Sequence, residues 1–216
     1  MNKKLIVVVG AGPGVGNNVA KKFGSNNFRV VLVSRNQESL DQYVNEMSAE
    51  GIEAYAVPAD AASPASLTAA FERIKKDLGT IDVLVYNAAV LKDGQPTSLT
   101  SQSLMSHLQV DVASALHCAL QVIPDQAAQQ EGTILFTGGG FALYPATAFA
   151  ALSVGKAALR TLTFTLADEM KPQGIFVGTV TIAGNVAPGS RFAPERIADK
   201  YWELYEKREE HEIVYS

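Results

Sequence analysis

The feature that most constrains this chain is a short apolar run that breaks into glycines and resumes as a helix. Leu5-Ile6-Val7-Val8-Val9 leads into Gly10-Ala11-Gly12-Pro13-Gly14-Val15-Gly16, and then into Asn17-Asn18-Val19-Ala20-Lys21-Lys22-Phe23. An unbroken aliphatic run of this length fits a strand buried on both faces, as in a parallel sheet. Glycines permit a tight turn and a close approach of backbone to a pyrophosphate, whose charge is favoured by the N-terminus of the following helix. A bare glycine pattern says little; strand, glycine turn and helix in that order point to a dinucleotide site. Its candidate residues are Gly10, Gly12, Pro13, Gly14, Val15 and Gly16.

The same alternation runs through the chain. Strands are expected at Leu5–Val9, Arg29–Val33, Glu53–Val57, Val83–Tyr86, Gly132–Phe136 and Phe176–Thr181, and helices at roughly Gly14–Asn26, Gln37–Glu50, Pro64–Leu78, Thr100–Gln130 and Ala150–Lys171. This predicts an α/β fold of Rossmann type: a doubly wound parallel sheet between two helical layers. With no second core, long linker or repeat, residues 1–216 read as a single domain. Its 188–216 portion is expected to hold a short flap, a charged aromatic-bearing helix over Ile197–Glu210 and an edge strand over Glu212–Tyr215. Trp202 and its neighbours are read as anchors onto the body, or alternatively as an oligomer contact. Leu104, Leu108, Val112, Leu116, Leu120 and Ile123 recur at helical spacing, as do Leu152, Leu159, Leu162, Leu166 and Met170. Either helix could pack on its own sheet or on a partner subunit.

Composition narrows the function classes. A net charge of -4 offers no basic face for nucleic acid. Lys3-Lys4 before an apolar run imitates an export signal, but the run stops at Val9, short of an h-region and far short of a membrane span. The one cysteine, Cys118, has no internal partner, so it is read as a buried thiol in a reducing, cytoplasmic setting. His107, His117 and His211 lack ligand-spaced neighbours, so no metal site is expected. No Gly-x-Ser-x-Gly elbow or Cys/His pair suggests a hydrolase.

The end of the second strand bears on the choice of dinucleotide. NAD sites usually carry an acid there for the ribose 2′-hydroxyl. Val31-Leu32-Val33-Ser34-Arg35-Asn36 has none. Arg35 could pair with a 2′-phosphate through its guanidinium fork and Ser34 could add a hydrogen bond, which favours NADP over NAD. The alternative is that Arg35 is a solvated residue at a strand end.

With these residues in hand, the chain resembles the short-chain dehydrogenase/reductase family over about residues 3–190. The family's Gly-x-x-x-Gly-x-Gly spacing falls on Gly10, Gly14 and Gly16; Asp60, with Ala61 beside it, stands where the family places an aspartate near the adenine. Asn87-Ala88-Ala89 is similar to the family's Asn-Ala-Gly beside the adenosine ribose. Lys156 opens a Lys-Ala-Ala-Leu segment like that of the active-site helix, and Ala183-Gly184-Asn185-Val186 is similar to the Pro-Gly-x-Val turn by the nicotinamide. The resemblance implies a seven-stranded sheet, a nicotinamide-dependent oxidoreductase acting on an unspecified small molecule, and a homo-oligomer.

It also implies a catalytic tyrosine, serine and asparagine, and at those positions stand Leu152, glycine near Gly139, and Asp111. Lys156 alone matches. Tyr144, in the segment leading to the active-site helix, is the candidate replacement acid if Lys156 lies close; otherwise it packs in a loop or lines a pocket. Ser153 and Thr137 are lesser hydroxyl candidates. Asp111 could pair with Lys156 and fix it for ribose binding. Only about ten residues, Ala187 through Arg196, are left for the substrate flap, which predicts an open or shallow pocket. Two readings follow: an NADP-dependent oxidoreductase with a rearranged acid, and a catalytically inactive NADP-binding regulatory or interaction module.

Overall fold

The structure, a computed structural model, describes residues 3–216. Its elements follow the chain as β1 (Leu5–Val9), α1 (Val15–Ser25), β2 (Arg29–Ser34), α2 (Gln37–Ala49), β3 (Ala54–Pro58), α3 (Pro64–Leu78), β4 (Val83–Tyr86), α4 (Ser101–Leu108), α5 (Ser114–Gln129), β5 (Gly132–Gly139), α6 (Ala150–Met170), β6 (Ile175–Ile182), α7 (Pro194–Lys207) and β7 (Glu212–Tyr215). The strands form one parallel sheet in the order β3-β2-β1-β4-β5-β6-β7. The Rossmann-type α/β fold is thereby established.

The alternation of side chains along each strand sorts the core into two layers. On β1, Leu5, Val7 and Val9 face a layer with Phe71, Cys118 and Leu159 from α3, α5 and α6. Ile6 and Val8 face the opposite layer, with Phe23, Leu40 and Tyr201 from α1, α2 and α7. Local chemistry sets the helix starts. The side chains of Asn36 and Ser63 accept from the N–H groups of Ser39 and Ser66, and Thr100 and Ser103 form a reciprocal capping box.

Two expectations about the helices need correction. The segment over Thr100–Gln130 is not one helix: α4 and α5 are separated by a π-helical turn over Gln109–Ala113. Inside that turn, Val110 O accepts from the Tyr86 hydroxyl and Asp111 Oδ1 accepts from Val90 N. Both groups thus lock the turn to the end of β4, a tertiary demand invisible to local periodicity. The last helix begins at Pro194, ahead of the expected Ile197, because proline suits a first helical turn.

The tail is well fastened. Trp202 meets Phe23 edge-on with ring centroids 5.1 Å apart, and Tyr205 meets Phe28 at 5.6 Å. Strand β7 lies parallel to β6, with Thr179 opposite Glu212, and Arg160 holds Glu212 through bonds of 2.6 to 3.0 Å. Among the described residues, no helix is long and apolar enough to cross a membrane.

Candidate functional site

The strand order reverses between β1 and β4, and ligands of open α/β sheets sit outside the carboxyl ends of the strands at such a point. A cavity of about 1230 Å³ occupies that position. Its walls include the whole run Gly10–Gly16, Ser34 and Arg35 after β2, Asp60 and Ala61 after β3, Asn87 through Ala89 after β4, Tyr144, Lys156, Gly184 and Val186. The candidate cofactor residues, with Tyr144 and Thr137, therefore come together in one place, whereas Ser153 is not part of the wall. Gly139 and Leu152 also line it, whereas Asp111 lies behind the wall.

The glycine end is rigid backbone. Gly10 has φ +88°, and a Cβ there would come within 2.4 Å of Ala88 N. A side chain is therefore excluded on both conformational and packing grounds. Gly10 N and Ala11 N both donate to Val33 O, tying the loop to β2. The cap residue of α1 is Gly14, which supplies no capping side chain; Asn17 N donates to Gly12 O, and Val15 and Gly16 line the cavity.

After β2, Arg35 is exposed, and among the described residues its guanidinium makes no ion pair or hydrogen bond. Asn36 is committed to capping α2. Asp60 Oδ1 accepts from Ala62 N in a local turn, while Asp60 N donates to Ser66 Oγ.

The β5–α6 end is built from side chains. Lys156 is buried and its Nζ donates to Thr137 O at 2.7 Å. Burial pushes its ammonium down to about 8, with the Asp111 charge acting in the opposite direction. Asp111 is itself buried, and burial raises its carboxyl above the usual range against the Val90 N–H bond and the charges of Lys156 and His107. The expected pairing does not form: among the described residues no ion pair joins Asp111 to Lys156, and Asp111 Oδ2 has no partner. The physical reason is that Lys156 reaches the β5 carbonyl, while Asp111 turns to the β4 end.

The hydroxyl candidates are placed as follows. Ser153 Oγ donates to Phe149 O and accepts from Ala146 N, which fixes the entry to α6. Thr137 Oγ1 donates to Asn87 Oδ1 at 2.8 Å. Tyr144 stands at the rim, 76% exposed, and its hydroxyl has no partner among the described residues. It forms no hydrogen bond with Lys156. Leu152 and the stacked pair Phe141 and Phe149, with centroids 5.5 Å apart, give this end an apolar wall.

Sequence reasoning missed one participant. Tyr201 of α7 is fully buried and donates to Thr137 Oγ1 at 2.6 Å. Its only signal in the sequence is an aromatic residue in a charged helix, which reads equally well as packing.

The histidines are occupied separately: His107 Nδ1 pairs with Ser103 O, His117 Nε2 with Thr68 Oγ1, and His211 Nδ1 with Val177 O.

The profile of the short chain dehydrogenase family matches residues 4–191. This chain belongs to the short-chain dehydrogenase family. Among curated relatives, it is 29% identical to the 2,3-dihydro-2,3-dihydroxybenzoate dehydrogenase of Bacillus subtilis over 94% of this chain and 73% of that protein. It is 30% identical to the oxidoreductase UcpA of Escherichia coli over 82% of this chain and 67% of that one. Among solved structures, a short-chain dehydrogenase from Rhodopseudomonas palustris superposes with a TM-score of 0.87 at 25% identity, covering 97% of this chain and 96% of its own. A metagenomic short-chain oxidoreductase in complex with NADP does so with a TM-score of 0.87 at 25% identity, covering 98% and 96%. The short-chain dehydrogenase assignment makes the protein an oxidoreductase of that type.

Proposed function

We propose that this protein is an NADP(H)-dependent oxidoreductase whose proton does not come from a tyrosine on α6. The observation that carries the reading is the glycine-rich turn at the head of α1: no side chain caps the helix, Val15 and Gly16 line the cavity, and after β2 stands an arginine unpaired among the described residues. The fit is physical. A Cβ at Gly12 or Gly14 would meet nothing within 4 Å, so the loop leaves open space where a pyrophosphate can approach. The NADP complex of the metagenomic relative supports the cofactor choice.

In this reading Gly10 through Gly16 hold the pyrophosphate, Ser34 and Arg35 the 2′-phosphate, and Asp60 and Ala61 the adenine. Asn87 through Ala89 flank the adenosine ribose, Lys156 holds the nicotinamide ribose, and Gly184 and Val186 flank the nicotinamide ring. When bound, the dinucleotide supplies reversible hydride exchange. Leu152 has no proton to give and Gly139 no hydroxyl to orient a carbonyl, so the family's usual acid and its companion are replaced here. Protons reach a substrate oxygen from the Tyr144 hydroxyl at the rim or from water entering beside it. Exposed Met105, Leu120 and Val154 on α4, α5 and α6 support association with further copies.

Leu152 and Gly139 also favour the second reading, an inactive module in which NADP occupancy stabilises the fold. Titration with NADPH and separately with NADH, read by nicotinamide fluorescence, tests the cofactor assignment. Tight NADPH binding with weak NADH binding is expected, and binding of neither would sink it. Once a substrate is found, a rate unchanged by Tyr144→Phe assigns the proton to water; no turnover across carbonyl and alkene panels favours the inactive module.

A further inference from the structure

A single directional line of hydrogen bonds crosses the carboxyl ends of three strands. Tyr201 Oη donates to Thr137 Oγ1 at 2.6 Å, Thr137 Oγ1 donates to Asn87 Oδ1 at 2.8 Å, and Asn87 Nδ2 donates to Gly10 O at 2.9 Å. The line therefore runs from α7 through β5 and β4 to the glycine loop.

Its direction is forced by the chemistry of its members. A threonine hydroxyl has one hydrogen, and an asparagine amide has a donor end and an acceptor end. Gly10 O only accepts, so the Asn87 amide must turn its nitrogen to the loop and its oxygen to Thr137. Thr137 then gives its one hydrogen to Asn87 and needs a donor on its other side. Tyr201 is that donor, and it is fully buried. Thr137 has a second connection: its carbonyl receives Lys156 Nζ at 2.7 Å. One residue of β5 thus sets both the asparagine beside the loop and the lysine at the far end of the cavity.

We propose that Tyr201 is a positioning residue for dinucleotide binding, acting through Thr137 on Asn87 and Lys156 without touching the ligand. The inference rests on the reading that the cavity holds a nicotinamide dinucleotide. Removing the hydroxyl leaves Thr137 free to rotate, which releases the Asn87 amide and with it the Nδ2 donor that holds the Gly10 carbonyl. Bonds in such a line reinforce one another, so its end member matters at the far end.

The test compares four variants by NADPH affinity and by melting temperature. Tyr201→Phe is expected to weaken NADPH about five- to tenfold, the scale of one lost buried hydrogen bond. Thr137→Val is expected to weaken it at least as much. The double variant should bind no more weakly than Thr137→Val alone, because both act through the same bond. Trp202→Leu loosens α7 from Phe23 and Phe28 without touching Thr137; it should lower the melting temperature yet leave the affinity within about twofold. Faster amide exchange at Gly10 and Ala11 in Tyr201→Phe is a second readout, made on the ligand-free protein. Wild-type affinity in Tyr201→Phe, or equal weakening in Trp202→Leu, overturns the proposal while leaving the cavity's ligand in place. A wild-type protein that binds neither NADPH nor NADH overturns the cavity reading and this inference together.

Discussion

At the β1 end of the cavity the walls are backbone, and at the β5 end they are side chains. The first end is fixed by contacts that bar a side chain at two positions: a Cβ on Gly10 would meet Ala88 and one on Gly16 would meet Gly10 O, while the amides of Gly10 and Ala11 bond Val33 O. The second end carries Leu152 and Gly139 on the wall beside Lys156, on a strand that stays in register with β6. Backbone geometry constrains residue choice through sterics, which tolerate no compromise. Side-chain chemistry constrains it only through the reaction performed.

The largest expected effect lies at the rigid end. Gly10→Val places a branched side chain at a positive φ and into Ala88. It should cost about 4 kcal/mol or more in urea unfolding and abolish measurable NADPH binding. A variant that folds and binds normally would break the contrast between the two ends.

Next comes Lys156→Met, expected to weaken NADPH roughly ten- to a hundredfold, as for a hydrogen bond from a charged donor. It also carries a pH signature. Burial lowers the folded-state value of Lys156 to about 8 from an ordinary 10.5. The folded protein therefore releases a proton before the unfolded chain does, and stability gains from this lysine as pH rises from about 8 to 10.5. Below that window the buried charge is a full penalty. Unfolding curves across the window should show the rise in wild type and its loss in the variant.

Arg35→Ala sharpens the contrast from the cofactor side. It should reduce the preference for NADPH over NADH about tenfold, the loss of one phosphate contact, with no change in melting temperature. An unchanged preference would return Arg35 to the status of a solvated residue.

The smallest effect is expected for Asp111→Asn. Burial raises the carboxyl of Asp111, so wild type loses stability as pH rises from the ordinary carboxylate value through the raised folded one. The amide keeps an acceptor for Val90 N and removes the charge, which should stabilise the protein by about 1 kcal/mol at neutral pH. In acid, where the carboxyl is protonated, the advantage should vanish.

The sequence made the backbone end legible because periodicity and glycine spacing are local. The strands, the loop and the acid-free end of β2 could all be read from neighbouring residues. It also exposed Leu152 and Gly139, since those positions are counted from Lys156 and the end of β5. What it hid depended on contacts between distant segments. The π turn at Gln109–Ala113 looks like ordinary helix until Tyr86 of β4 and Val90 of the loop after it arrive. Asp111 and Lys156 carry opposite charges at plausible positions, yet each finds a backbone partner instead. Tyr201 and Thr137 are far apart in the chain, and nothing in either segment announces that their hydroxyls meet.

The aromatic seam between α1 and α7 has a consequence for how the molecule is made. Phe23 and Phe28 emerge early in synthesis, but Trp202 and Tyr205, which cover them, are among the later residues to appear. Until then one side of the nascent sheet lacks its last covering helix, so the first nucleotide-loop unit cannot mature as an independent piece. Closure of this early-to-late contact carries a loop-entropy cost that local helix pairings avoid. Phe23 and Phe28 therefore gain their aromatic cover only when α7 docks.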